Sequence, residues 1–392
     1  MSVAKAVHLV HNLDDSYGGP ARSIPELMHA MDEFGWCSEA VSLRFSSSER
    51  NEVIEKYDLP WKVLDAQIHP YLAFNSGLTK ALGVGEPNLL HYHNIWNFVP
   101  VAAHRAGKNI RCPIVLSPRG TLFPWNLRKG AFKKSMYLKL FGGMMLERCS
   151  AIHATSTSEV DAVKKLSKTA PVALIANGVD IDEFSDLSAK AVHKLHLGLD
   201  VKKQHILYVG RIEEKKGLAN LITVFAELVE SGVACELVVA GPAYSKSYTD
   251  HCYSLAQELG VNHLVKWLGM VEGRGRSDVY GAADLFVLPT HSENFGMSIA
   301  EALSASLPVI TTTGTPWRVI RDKGAGYIID PDLVQLSQAM NHFFELGPGS
   351  VLEMSKAARE ISEMYGWRKP AEQMSHLYNW LLGKSERPDF VY

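Results

Sequence analysis

Five short segments of the 392-residue chain gather side chains able to handle a phosphate and a sugar. In YVGRIEEKKGL (Tyr208 to Leu218), Gly210, Arg211 and Lys216 follow directly on an apolar run. An arginine fork can grip two phosphate oxygens and a lysine adds a mobile point charge, so fixed cations here would stabilise charge growing on a departing diphosphate. In THSENFGMSIAEAL (Thr290 to Leu303), Glu293, Asn294 and Phe295 precede Gly296 and Met297 at the start of a helical pattern, and Glu301 lies further along it. Carboxylates accept from sugar and ribose hydroxyls, and the free N–H groups of a helix start, reached over a glycine, suit phosphate or sugar oxygens. In the N-terminal half Gly18-Gly19-Pro20, His93-Asn94 (in HYHNIW) and Arg119-Gly120 (in SPRGTLFPW) each follow an apolar run as well. On spacing alone every one of these has a plainer reading: a solvated turn, a helix cap, a pair of satisfied core histidines.

Other chemistries find less support. His91-x-His93 is read as structural, and Asp180-Ile181-Asp182 and Asp330-Pro331-Asp332 as Asp-rich turns, so no metal and no cofactor is expected. The first strand is not followed by G-x-G-x-x-G, and the chain has neither a Walker A sequence nor a serine elbow. Cys37, Cys112, Cys149, Cys235 and Cys252 are scattered, which fits free thiols in a reducing compartment. A net charge of −2 argues against a nucleic-acid partner. Met1 to Val10 lacks the basic start and long apolar run of a secretory signal, so a cytoplasmic protein is expected.

The elements that must carry these residues alternate. Strands are expected at Ala6–His11, Ala40–Leu43, Leu89–His91, Ile114–Ser117, Ala151–Ala154 and Val172–Ile175, with a helix over Ala21–Phe34. The second half repeats the rhythm, with strands at His205–Val209, Glu236–Ala240, Val265–Leu268, Leu285–Leu288 and Val309–Thr312 and helices at Leu218–Glu230 and Tyr248–Leu259. Alternation of this kind predicts an α/β protein with parallel sheets, and the length predicts two domains. Ligands of such sheets sit beyond the C-terminal strand ends, where the segments above fall. The expected organisation is a Rossmann-like domain over 1–186, a linker over 187–203, a second Rossmann-like domain over 204–366 and a final segment over 367–392.

Taken in order, the GGP loop, HYHNIW, SPRGTLFPW, HATSTSE (His153 to Glu159), NGVD (Asn177 to Asp180), GRIEEKKG and SENFGMSIAE resemble the family-four glycosyltransferases, over nearly the whole chain. The resemblance implies the glycosyltransferase-B (GT-B) fold, with two Rossmann-like domains facing a cleft and the C-terminal helix crossing back to the first. It implies a retaining, metal-independent transferase using a nucleotide sugar, with UDP-glucose the leading donor by family frequency. Carried over by position, Arg211 and Lys216 hold the diphosphate. Glu293, with the backbone of Asn294, Phe295 and Gly296 and the neighbouring Met297, orients the sugar. Glu301 reaches the ribose, and Met270 and Val271 lie against the base. Gly18, Gly19 and Gly210 approach the donor, and His93 and Asn94 stand on the acceptor side. One departure is Arg119, where many members carry histidine. It is expected to contact the leaving phosphate or an acidic acceptor, or else to shape its loop through a salt bridge. RG followed by PW matches the subset linked to surface-polysaccharide assembly, which implies a saccharide or lipid-linked acceptor. A sugar-nucleotide epimerase of the same architecture and a non-catalytic nucleotide-sugar binder are the alternatives.

One charge bias adds to this. Between Glu86 and Glu147 there is no Asp or Glu, while Arg105, Lys108, Arg111, Arg119, Arg128, Lys129, Lys133, Lys134 and Lys139 all fall there. The stretch 131–146 reads as a basic helix with interspersed apolar residues. It can either pack on the core or rest on a membrane at the inner face.

Overall fold

The expected strands form two all-parallel sheets in the computed structural model, which describes residues 4–44, 49–68, 73–128, 130–184 and 190–392. The first sheet holds β1 (Ala4–Leu9), β2 (Trp36–Arg44), β3 (Trp61–Asp65), β4 (Leu89–His93), β5 (Ile114–Ser117), β6 (Ala151–Ala154) and β7 (Val172–Leu174), in the order β3-β2-β1-β4-β5-β6-β7. The second holds β8 (Gln204–Val209), β9 (Cys235–Ala240), β10 (Val265–Gly269), β11 (Leu285–Leu288), β12 (Val309–Thr312) and β13 (Gly326–Ile329), in the order β10-β9-β8-β11-β12-β13. Each order reverses once, between β1 and β4 and between β8 and β11. A crevice opens at such a point because the flanking crossovers leave in opposite directions.

Central strands such as β4, β11 and β12 are buried along their whole length, since helices cover both faces. The edge strands β3 and β13, absent from the expected set, are half-buried and carry shorter apolar runs. The expected linker over 187–203 is not one throughout. Its described part contains a helix, Lys190–His196, packed on the helix Arg274–Ala282. The segment KAVHKLH is too short for a helical period to show and too polar to look buried. Residues 185–189 lie outside the described residues.

The chain divides into two units, 1–178 with 367–392, and 179–366. The last segment thus belongs to the first unit. Its helix Arg368–Leu381 buries Ala371, Met374, Leu377 and Tyr378 in the core beside Trp36. Ser375 Oγ accepts from Trp36 Nε1 at 3.2 Å, and Glu26 accepts from Trp367 Nε1 at 2.9 Å. Beyond the helix, Phe390 to Tyr392 hydrogen-bonds antiparallel to β7 and covers that sheet edge.

Two glycines fix the loop after β8. Gly241 has φ +140°, and a Cβ there would sit 2.0 Å from the Gly210 carbonyl oxygen. Gly217 has φ +73°, and a Cβ there would sit 2.2 Å from the Pro289 carbonyl oxygen. Replacing Gly241 by Ala should therefore cost on the order of 2–4 kcal/mol, combining strain and overpacking. Urea denaturation of the variant measures it, and an unchanged midpoint would contradict this account.

Candidate active site

In the second unit the loop after β8 lies against the loop after β11, at the reversal of strand order. The His291 N–H donates to the Lys215 carbonyl at 2.8 Å, and Thr290 Oγ1 donates to the same oxygen at 3.1 Å. The Glu293 N–H donates to the Gly314 carbonyl at 2.8 Å. These contacts hold the Glu293 carboxylate against Lys216 Nζ, which donates to Oε1, with both side chains only about a tenth exposed (10% and 12%). Burial pushes the Glu293 carboxyl up. Lys216, Lys215 and Arg211 together outweigh it and hold the group below the usual carboxylate range, so it stays ionised. Lys215 is pulled the other way: its burial lowers the ammonium pKa, against the attraction of Glu293.

Arg211 stands at the mouth of this cluster. Its guanidinium lies over the Tyr244 ring at 4.4 Å and pairs with Glu213 at 2.9 Å. The stack presents the fork without burying it, since the side chain is 35% exposed. The arrangement is a set of cations on rigid backbone with one buried carboxylate among them, suited to a phosphate beside a hydroxylated ring.

The helix Met297–Ser304 begins at Gly296, at φ +86° and with no side-chain cap, so its first N–H groups are unspent on a capping side chain. The Phe295 ring is core, edge-on to Trp317 at 5.1 Å, and its carbonyl accepts from Trp317 Nε1. Only its N–H remains on offer. Glu301 is buried, and both of its oxygens are occupied: Tyr280 O–H donates to Oε2 at 2.6 Å and Arg276 Nη2 lies 2.8 Å from Oε1. A ribose hydroxyl would share that carboxylate with them. Met270 and Val271 follow β10, with Met270 exposed.

In the first unit the reversal between β1 and β4 is occupied by four histidines. His153 Nε2 faces the Ile175 carbonyl at 2.9 Å, and a carbonyl only accepts, so the proton sits on Nε2. His153 Nδ1 must then accept from Ser117 O–H at 2.7 Å. Ser117 in turn accepts from His91 Nε2–H at 2.7 Å, and His91 Nδ1 accepts from Tyr378 O–H at 2.6 Å. A second chain starts from a group that only donates. Arg119 Nε donates to His93 Nδ1 at 3.1 Å, so His93 Nε2–H donates to His8 Nδ1 at 3.1 Å. Every imidazole is neutral. Burial lowers His8 and His153 to about 3, with the Arg119 charge acting in the same direction, and it lowers His91 and His93 well below the ordinary value.

His8, His91 and His93 are close enough to suggest a metal site. Both nitrogens of His91 and both of His93 are committed, however, and a guanidinium adjoins them. His93 therefore serves the interior of the unit. Asn94, at φ +79°, spends its side-chain oxygen on the N–H groups of Ile95 and Trp96 at 2.7 and 3.2 Å. Of the residues expected near an acceptor, Arg119 is the informative one. Its Nη1 donates to Ser23 Oγ at 3.0 Å, its backbone is at φ +54°, and Nη2 is buried without a partner. Among the described residues it forms no ion pair, so a loop-shaping salt bridge is not its role. Gly18, at φ +87°, opens the uncapped helix Gly19–Met31 that carries Ser23, and the space where its Cβ would stand is clear. The two Asp-x-Asp turns are local caps. Asp180 accepts from the N–H groups of Asp182 and Glu183, and Asp332 caps the helix Leu333–Glu345.

Lys215, hidden in a run that reads as solvated, and Arg276 and Tyr280, which lie outside any motif, carry no signal of their place here in the sequence. The basis of Arg119's placement, the Ser23 and His93 contacts, is equally invisible in the chain.

Two family models match the chain: Glycosyltransferase Family 4 over residues 17–183 and Glycosyl transferases group 1 over residues 190–361. The chain is a glycosyltransferase of GT-B type. An uncharacterised glycosyltransferase of Methanocaldococcus jannaschii is 27% identical over 326 residues, 76% of either chain. A D-inositol 3-phosphate glycosyltransferase of Mycobacterium sp. (strain KMS) is 27% identical over 79% of this chain and 69% of its own. Among solved structures, a sucrose-phosphate synthase from Thermosynechococcus elongatus superposes with TM-score 0.79 at 18% identity, covering 97% of this chain and all of that one. Anabaena HepE in complex with UDP and glucose gives 0.77 at 18% identity, over 96% and 100%. At these identities the structures attest the fold.

The neutral histidines give stability a defined pH dependence. Unfolded, each takes up a proton near pH 6.5, whereas folded it does so only far lower, so stability is full above about pH 7 and falls as pH drops. His153→Gln should be destabilised at pH 7.5 yet lose less than wild type on going to pH 5.5, by up to about 1.4 kcal/mol per pH unit. Urea midpoints at the two pH values test this, and equal slopes would refute it. Tyr378→Phe, which leaves His91 Nδ1 without its donor, should cost about 1–3 kcal/mol at pH 7.5.

Proposed function

We propose that this chain is a retaining, metal-independent hexosyltransferase that moves glucose from UDP-glucose to a saccharide or lipid-linked saccharide in surface-polysaccharide assembly. The observation that carries the reading is the cluster of Arg211, Lys215 and Lys216 around the buried Glu293 carboxylate. Three cations fixed on one loop offset the charge of a departing diphosphate, the task a divalent ion performs in other transferases. The crystallised complex of HepE with UDP and glucose favours uridine diphosphate and a glucosyl group as donor parts here.

In the proposed step the acceptor oxygen attacks the anomeric carbon on the face the diphosphate leaves. The sugar–oxygen bond to the phosphate breaks, and the departing phosphate oxygen takes the acceptor hydroxyl's proton. Glu293 balances positive charge on the sugar ring, and Arg211 and Lys216 hold the leaving group. Glu301, oriented by Arg276 and Tyr280, receives the ribose. Met270 and Val271 pack on the base. The unpartnered Nη2 of Arg119 binds an anionic group, on the acceptor or the leaving phosphate.

Arg211→Ala should lower kcat about 10²–10³-fold. Incubation with UDP-glucose, with and without acceptor oligosaccharides, reads it, and NMR of the product gives the anomeric configuration. Full activity in that variant would overturn the site assignment. Conversion of donor without acceptor would point to an epimerase instead.

The reading includes work at the inner face of a membrane. Among the described residues no helix is long and apolar enough to cross one. The run from Ala131 to Arg148, helical throughout with a π-turn at Leu138–Gly142, exposes Phe132, Met136, Leu140, Phe141 and Met144 beside Lys133 and Lys139. With no acidic residue between 86 and 147, that surface suits anionic headgroups over acyl chains. Phe132→Ser combined with Leu140→Ser should reduce sedimentation with phosphatidylglycerol vesicles at least several-fold and leave turnover of a soluble acceptor unchanged. Undiminished sedimentation would refute the membrane part alone.

A further inference from the structure

On the helix Lys190–His196, His193 and His196 are three residues apart and share a face. Both point Nδ1 at one oxygen of Asp278 on the helix Arg274–Ala282, at 2.7 and 3.1 Å. All three ligand atoms lie within 4.8 Å of one another. A tetrahedral ion with bonds of about 2.0–2.1 Å needs ligand atoms about 3.3 Å apart, so the triad reaches that geometry with small side-chain shifts.

The charge balance is unusual. The Asp278 side chain is 8% exposed, and among the described residues its ion-pair partners are two imidazoles with no lysine or arginine. The cations on the same helix, Lys190 and Lys194, are both engaged by Asp284 instead. A nearly buried carboxylate held by imidazoles alone calls for a paired or coordinated cation. The packing is also specific: Gly281 admits the His193 ring, since a Cβ there would stand 2.5 Å from His193 Cδ2.

We propose that His193 Nδ1, His196 Nδ1 and Asp278 Oδ1 bind one divalent transition ion of the zinc class, with water in the fourth position on the exposed His196 side. Two imidazoles and a carboxylate select zinc, cobalt, nickel or copper over magnesium or calcium. To bind, each imidazole moves its proton to Nε2 and offers the Nδ1 lone pair. The ion takes no part in sugar transfer. It joins the helix that opens the second unit to the helix whose Arg276 and Tyr280 hold Glu301, and so braces that carboxylate from behind.

The test uses the full chain, tag-free and stripped with chelator, titrated with Zn²⁺ and separately with Co²⁺. One ion per chain is expected, with a rise in melting temperature and the visible absorption of tetrahedral cobalt displaced by Zn²⁺. Mg²⁺ should produce neither effect, and lowering the pH to 5.5 should release the ion. His196→Ala, at a solvent-facing position, should weaken Zn²⁺ binding at least about ten-fold and abolish the cobalt bands, and Asp278→Asn should do likewise. Binding of equal strength and spectrum in His196→Ala would overturn the site and leave the ion on other surface histidines. Absence of binding by the wild type would overturn it as well. Neither result bears on Arg211 and Glu293, whose assignment rests on transfer activity.

Discussion

The second unit is organised around a carboxylate that has been taken out of water. Glu293 remains ionised only because Lys216, Lys215 and Arg211 surround it, and those cations in turn are tolerated close together only because Glu293 sits among them. Neither half of this balance is stable alone, as an unpaired buried charge costs several kcal/mol. The close glycine contacts at Gly217 and Gly241 follow from it. The first brings the loops after β8 and β11 near enough for side chains to meet across the strand-order reversal, and the second seats the loop after β9 against the one after β8. A diphosphate entering such a site would find its counter-charges already fixed and would need little reorganisation of the protein.

The equivalent position in the first unit is built on the opposite principle. Its histidines are all neutral, and their protons are directed by an arginine at one end and a carbonyl at the other. Such a network is rigid because each bond sets the tautomer of the next ring, although the His8 Nε2–H and Arg119 Nη2 are buried without an acceptor, and its low dielectric makes the cation at its rim more effective. Among the described residues Arg119 is the one charged group hydrogen-bonded to it. Its bonds to His93 and Ser23 fix the guanidinium, and among the described residues no carboxylate pairs with it at contact distance, Glu159 acting on it from further away.

The parts legible in the sequence are those encoded locally. Fully buried strands such as Leu285–Leu288 announce themselves as apolar runs bounded by turn residues, and Arg211, Lys216 and Glu293 sit in the loops that follow them. Half-buried edges such as Trp61–Asp65 and Gly326–Ile329 lack that signature. The helix Lys190–His196, polar and two turns long, lacks a helical signature in the same way and reads as linker in the sequence. Pairings between distant residues leave no local trace at all. Lys215 looks solvated until Glu293 is placed beside it, and Tyr378 meets His91 across 287 positions. The fold is therefore readable from the sequence, as is the placing of Arg211, Lys216 and Glu293 in loops after buried strands, whereas the groups that orient Glu301, Arg119 and the histidines are not.

The discontinuity of the first unit has a consequence for how the molecule is made. Residues 179–366 are contiguous, so every contact within that unit is available once it has left the ribosome. The first unit has a different schedule. Trp36 and Glu26 meet their partners Ser375 and Trp367 only after more than 300 further residues have been added, and β7 stays an open edge until Phe390 to Tyr392 emerge. During synthesis, then, the half made first is the half completed last, with an unshielded strand exposed to its surroundings from its own emergence until the final residues are added.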